Sequence, residues 1–199
     1  MRTSLEVAIL VFDGVEVLDF AGPFEVFSTA SRLAPSNEAR QLKVYTISLS
    51  SDAIQCRGGL SVIPSATIGN LHGSPDIVVV PGVVIDRQRG CNTTIDWLRS
   101  VAAGGKIVAS VCNGALILAA AGLLDGRQTT THWQDIELLR QAVPTAVVSE
   151  RCRFVDDGVV ITSGGISAGI DMSLHLVRRF FGSDRANKTA MQMEYGWTE

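Results

Sequence analysis

Cys112 is the residue best placed to do chemistry. Of the six residues before it, five suit a short buried strand, and Ile107, Val108 and Val111 supply apolar β-branched character. From Gly114 onward Ala and Leu dominate, the strongest helix formers, until Gly122 stands where a helix C-terminus takes a left-handed residue. A strand therefore runs directly into a helix with the cysteine at the junction. That is a nucleophile elbow, in which a sharp turn lifts one side chain clear of a sheet. The small Gly114 and Ala115 let strand and helix approach closely. Backbone N–H groups and the positive end of the helix dipole are expected to favour the thiolate, lowering its pKa from a reference of about 8.5. The same N–H groups are expected to hold negative charge developing on a substrate.

The elements around this junction follow from periodicity and breakers. Glu6 to Phe12 reads as a buried strand closed by the Asp13-Gly14 turn, and a helix is expected from Phe24 to Arg32 with Pro23 in its first turn. Leu42 to Leu49 is a second strand, Ser51 to Gly59 a loop, and Leu60 to Pro64 a short strand. Asp76 to Val80 is a β-branched run suited to a strand buried on both faces, stopped by Pro81-Gly82. Helices are expected over Thr94 to Ala103, Gln134 to Val143 and Ser167 to Phe181, with a last one from Ser183 carrying Met191 and Tyr195. Ala146 to Ser149 reads as a strand, and Phe154 to Thr162 as a hairpin around Asp156-Asp157-Gly158. Strands alternate with helices, so the fold class is α/β: a mostly parallel sheet with helices on both faces. Ligands bind beyond the carboxyl ends of strands in such sheets, and Asp13 to Asp19, Pro81-Gly82 and Cys112 all lie at such ends.

The 199 residues suit a single domain, residues 1–199. A net charge of −3 without a basic run argues against nucleic acid and membrane surfaces as partners, and no apolar stretch is long enough to span a bilayer. Met1-Arg2-Thr3-Ser4 leads into a segment too short and too charged for an export signal. The four cysteines, Cys56, Cys91, Cys112 and Cys152, lack metal or disulfide-framework spacing, so a reducing cytoplasm is expected and no metal site is. Neither His72 nor His175 has a partner at ligand spacing.

Taken in order, Phe12-Asp13-Gly14, Leu18 to Pro23, Val80-Pro81-Gly82, Ser110 to Gly114, Ala121 to Gly126, Thr130 to Trp133 and Gly165 to Asp171 resemble the DJ-1/PfpI superfamily over nearly the whole chain. The likeness implies a flavodoxin-like sandwich and a homodimer. Within the superfamily the Leu18-Asp19-Phe20 and Thr130-Thr131-His132-Trp133 forms are most similar to isonitrile (isocyanide) hydratases and to the amidotransferase-like N-terminal domains of AraC-type regulators. The hydratase likeness implies Cys112 as nucleophile and Asp19 as its acid/base partner, with Glu16 as the competing acid. It implies Gly82 and Asn113 around an oxyanion or substrate pocket, His132 near the cysteine and Ile166 at the pocket border. The implied reaction adds water to an isocyanide and gives an N-substituted formamide, with a small molecule as substrate and no cofactor.

Two positions depart from the hydratase pattern: Asn113 stands for Thr, and Val83 for the second glycine of a Pro-Gly-Gly loop. The peptidases of the superfamily carry His directly after the cysteine, and the glutamine amidotransferases a downstream His-x-Glu. Neither is present here, so both activities are disfavoured. The regulator likeness implies instead a ligand or oxidant sensor, although with Glu199 as the last residue no helix-turn-helix pair is expected. A third reading is a stress protein whose Cys112 is oxidised to a sulfinic acid. Trp133 is expected to pack, and Cys56, Cys91 and Cys152 to be structural or incidental.

Overall fold

The computed structural model describes residues 4–36, 40–71 and 73–197. The chain begins with β1 (Ser4–Leu10), α1 (Val17–Arg32), β2 (Gln41–Ser48), β3 (Ile54–Gln55), β4 (Ser61–Val62), β5 (Ala66–Thr67) and β6 (Ile77–Val80). It continues through α2 (Asp86–Arg89), α3 (Asn92–Ala103), β7 (Ile107–Ser110), α4 (Ala115–Ala120), β8 (Gln128–Thr129), α5 (Ile136–Ala142) and β9 (Val147–Val148). It closes with β10 (Phe154–Asp157), β11 (Val160–Ser163), α6 (Ala168–Phe181) and α7 (Ser183–Gln192).

Seven strands form one sheet in the order β10-β11-β7-β6-β1-β2-β5, parallel except for the β10–β11 hairpin. The expected α/β class and flavodoxin-like architecture are therefore present. The central β6 and β7 are buried along their whole length, as the unbroken β-branched run of β6 requires and as the small Ala109 and Ser110 that complete β7 permit. From β1 the chain crosses through α1 to β2 in one direction, and from β6 through α3 to β7 in the other. Right-handed crossovers then place α1 and α3 on opposite faces of the sheet. The strand order reverses between β1 and β6, so the ligand crevice of this fold opens beyond their carboxyl ends. Three chain segments meet there: the β1–α1 loop, the turn after β6, and the elbow after β7.

Several boundaries differ from those the sequence suggests. α1 starts at Val17, not Phe24, so Asp19 belongs to its first turn and Pro23 lies inside it. Proline removes one helical N–H, and the stretch before it holds no other breaker up to Gly22. The Gly22-Pro23 pair instead serves packing. A Cβ on Gly22 would come 3.0 Å from Ile170, and one on Gly169 3.4 Å from Pro23, so α1 and α6 meet through their smallest residues. The segment expected as the loop 51–59 contains β3, which pairs with β4, the remnant of the strand expected from Leu60 to Pro64. β9 pairs with β8 outside the main sheet. Met191 is exposed, and Tyr195 lies beyond the end of α7 with its hydroxyl on Asp171 at 3.1 Å. His72 lies outside the described residues.

Candidate active site

The elbow is sharp because Cys112 itself turns the chain. Val111 is still extended, Cys112 has φ 58°, and Cys112–Gly114 forms a single 3-10 turn that feeds α4. A side-chain-bearing residue in the left-handed region is strained and persists only where its surroundings over-determine it. Here they do. The Cys112 N–H donates to the Gly164 carbonyl at 3.1 Å, the Thr131 hydroxyl donates to the Cys112 carbonyl at 2.9 Å, and the Gly114 N–H returns to Val111 at 3.0 Å. Gly114 has no alternative, since a Cβ there would sit 2.2 Å from the Val80 carbonyl oxygen. The cysteine is only 5% exposed.

Asp19 is fully buried, at 0% exposure, in the first turn of α1. Its Oδ2 accepts the Gly82 N–H at 3.1 Å, and its Oδ1 has no hydrogen-bond partner among the described residues. The carboxyl faces the Cys112 thiol and the Ile166 N–H. Burial pushes its pKa up to about 6, against the Gly82 donor and with the help of the Glu16 charge nearby. The Cys112 thiol moves the same way: burial first, and the Asp19 carboxylate second, push it up to about 12. The lowered thiol pKa expected from the helix start is thus overturned. α4 is only six residues long, the Asn113 N–H supplies one opposing hydrogen bond, and desolvation with two acidic neighbours, Asp19 and Asp135, outweighs it. At neutral pH the pair therefore holds a thiol beside a carboxylate.

Asn113 and Gly82 sit at the elbow, but their polar groups are already engaged. The Gly82 N–H serves Asp19, and a Cβ on Gly82 would lie 2.1 Å from Asn113 Oδ1. The Asn113 carboxamide turns onto the loop after β6, where Oδ1 accepts the Val83 N–H at 2.7 Å and Nδ2 donates to the Val83 carbonyl at 3.1 Å. Val83 has φ 117° and Ile166 φ 55°, so with Cys112 three non-glycine residues of positive φ stand in the elbow, the loop after β6 and the loop after β11.

Glu16, the competing acid, precedes α1 and pairs with Arg57 at 3.2 Å. His132 follows the threonine that holds the elbow. Its ring lies against Gly165, where a Cβ would be 2.0 Å from Cδ2, and its Nδ1 accepts the Gln134 N–H at 3.3 Å with Asp135 Oδ2 at 3.7 Å. Trp133 does not pack in the core as expected. It is 75% exposed beside the His132 ring, because the 3-10 turn Trp133–Asp135 carries it outward. His175 lies on α6 and pairs with Asp156 at 2.6 Å, away from the elbow. Among the described residues no group of His, Cys, Asp and Glu could hold a metal ion, and no helix is long and apolar enough to cross a membrane.

All four cysteines are free. Cys91 carries a signal that sequence reading passed over: it precedes Asn92-Thr93-Thr94 at the start of the 12-residue α3. Partial burial raises its pKa, but the N–H and hydroxyl groups of Thr94 and Thr93 outweigh that and lower it overall.

Known proteins share this fold. A model of the DJ-1/PfpI family matches residues 5–179. The isonitrile hydratase of Pseudomonas putida is 34% identical over 96% of this chain and 79% of that protein. The HTH-type transcriptional regulator GbdR of Pseudomonas aeruginosa is 29% identical over 92% of this chain, which spans only 48% of the regulator. Among solved structures, a ThiJ/PfpI family protein from Pseudomonas syringae superimposes with a TM-score of 0.85 at 29% identity, over 98% of this chain and 77% of that one.

Proposed function

The chain belongs to the DJ-1/PfpI family, and from that premise we propose that it is a cysteine-dependent hydratase of small molecules, isocyanides first, with Cys112 as nucleophile and Asp19 as proton carrier. The observation that carries this reading is the Asp19 carboxyl, fully buried against the buried Cys112 with one oxygen unpartnered among the described residues. A carboxylate poised near pH 6 beside a protonated thiol suits a reaction that takes a proton from sulfur and places it on carbon. The likeness to the hydratase of Pseudomonas putida supports the same class.

In this mechanism the sulfur attacks the terminal carbon of R–N≡C while Asp19 takes the thiol proton and delivers it to that carbon, leaving Cys112–S–CH=N–R. Water then adds to the same carbon with Asp19 as base, and the nitrogen takes a proton. Collapse of Cys112–S–CH(OH)–NH–R restores the thiol and releases R–NH–CHO, so the sum is one isocyanide plus one water. No step leaves an uncompensated alkoxide, and none calls for a cofactor. This fits a site whose Gly82 N–H is committed to Asp19 instead of to a substrate oxygen. A cysteine only 5% exposed also favours a slender, linear head group. Gly82, Asn113, His132 and Ile166 border the space that group would enter.

The test is turnover of aryl and alkyl isocyanides with formamide as product, beside Cys112→Ala and Asp19→Asn. Loss in both variants supports the reading, and absence of turnover with any isocyanide overturns it. The likeness to GbdR favours a second reading, a sensing module that binds one equivalent of ligand without turnover; isothermal titration separates the two. The family likeness also carries over a cytoplasmic homodimer, which sedimentation velocity tests for its oligomeric state.

A further inference from the structure

Two features of the site, the Asn113 side chain and the backbone of Val83, meet in a single contact. One carboxamide takes both main-chain polar groups of one residue, the N–H at 2.7 Å and the carbonyl at 3.1 Å. That residue is β-branched yet has φ 117°, a conformation side chains rarely adopt and valine adopts least. On its other side the same loop is stitched to the β1–α1 connection. Val83 bridges Val15, the Val84 N–H reaches the Gly14 carbonyl at 3.3 Å, and the Glu16 N–H reaches the Gly82 carbonyl at 3.0 Å. Between these attachments Gly82 has no freedom: its α-carbon faces Asn113 Oδ1 too closely for any side chain, and its N–H donates to Asp19 Oδ2 at 3.1 Å.

We propose that Asn113 is a positioning residue for Asp19: by clamping Val83 in its strained conformation it holds Gly82 so that the Gly82 N–H stays on the Asp19 carboxylate. Asn113 and Val83 then form one functional unit. The clamp matters because residue 83 is not glycine, and a glycine there would take φ 117° without being held. The groups facing Asp19 are the Cys112 thiol from the elbow, the Glu16 carboxylate from the loop before α1, itself paired with Arg57, and the Ile166 N–H; Asp135 faces the thiol from the loop before α5.

The proposal builds on the pairing of Cys112 with Asp19 but not on turnover, so a protein inactive toward isocyanides can still be tested. The experiment is the pH profile of Cys112 alkylation by iodoacetamide, followed by peptide mass mapping, in the parent, Asn113→Ala, Val83→Gly and the double variant. The log-rate profile breaks where Asp19 titrates. Asn113→Ala is expected to move that break upward by about 1 pH unit, the effect of one backbone donor on a carboxylate. In the Val83→Gly background the same change should move it less than half as far. An unmoved break in Asn113→Ala, or equal movements in both backgrounds, overturns the proposal. Should Asn113→Ala fail to fold by circular dichroism, recovery in the double variant supports the unit and continued failure rejects it.

Discussion

Replacing Asp19 by Asn should push two properties of Cys112 in opposite directions. The amide is isosteric and can still accept the Gly82 N–H, but it carries no charge and cannot carry a proton. Burial is the larger cause of the raised thiol pKa and the carboxylate the second, so losing the charge is expected to bring the thiol down from about 12 by about 1 unit, ~1.4 kcal/mol. At pH 8 that gives about ten times more thiolate. A thiolate of lower pKa is intrinsically less nucleophilic, with a Brønsted slope of about 0.4–0.5, so the net gain in alkylation rate is about threefold to fourfold. Isocyanide turnover, which needs the proton moved, should fall by about 10²–10⁴. Both are read on the same preparation, one by peptide mass mapping after iodoacetamide and the other by formamide release. Alkylation that slows together with turnover would refute the reasoning, because it would mean that Asp19 promotes the thiolate instead of opposing it.

The same substitution should stabilise the fold, with a definite pH dependence. A carboxyl whose folded pKa is raised to about 6 favours folding while protonated, at pH below about 4, and loses that contribution as pH rises through 6. Asp19→Asn should therefore match the parent near pH 4 and exceed it at pH 8 by about 3 kcal/mol in urea denaturation. Gly82→Ala should cost about 3 kcal/mol or more and abolish turnover, since its Cβ would sit 2.1 Å from Asn113 Oδ1; thermal melting and formamide release check this. In the parent at pH 7.5, iodoacetamide should label Cys91 before Cys112, because Cys91 is more exposed and its pKa is lowered where that of Cys112 is raised. Time-resolved peptide mapping decides the order.

The elbow was legible in the sequence because it is local: apolar β-branched residues, one cysteine, then Gly114 and a run of helix formers describe a strand, a turn and a helix without reference to anything distant. The parallel sheet was legible for the same reason. What the sequence hid was everything that depends on neighbours far along the chain. The Gly82–Asp19 contact joins residues 63 positions apart and the Asn113–Val83 clamp residues 30 apart. Asn113 and Val83 read as two separate departures from a pattern, where the fold makes them one contact. A helix start is visible in sequence, whereas the burial and the acidic neighbour that set the direction of the Cys112 pKa are not. α1 starts seven residues before the Phe24 that the usual role of Pro23 suggests, and the value of Pro23 in packing against Gly169 appears only when α6 is in place.

The three non-glycine residues of positive φ in the elbow and its neighbouring loops, Cys112, Val83 and Ile166, also bear on how this protein can change over generations. Each holds a conformation that glycine would adopt more easily, so each records a site where heat resistance has been forgone. A selection for thermal survival alone should reach glycine at 83 or 166 early, while cysteine at 112 resists as long as the chemistry is required. Lineages recovered from such a selection would separate the residues kept for what they do from those kept only by the company of their neighbours.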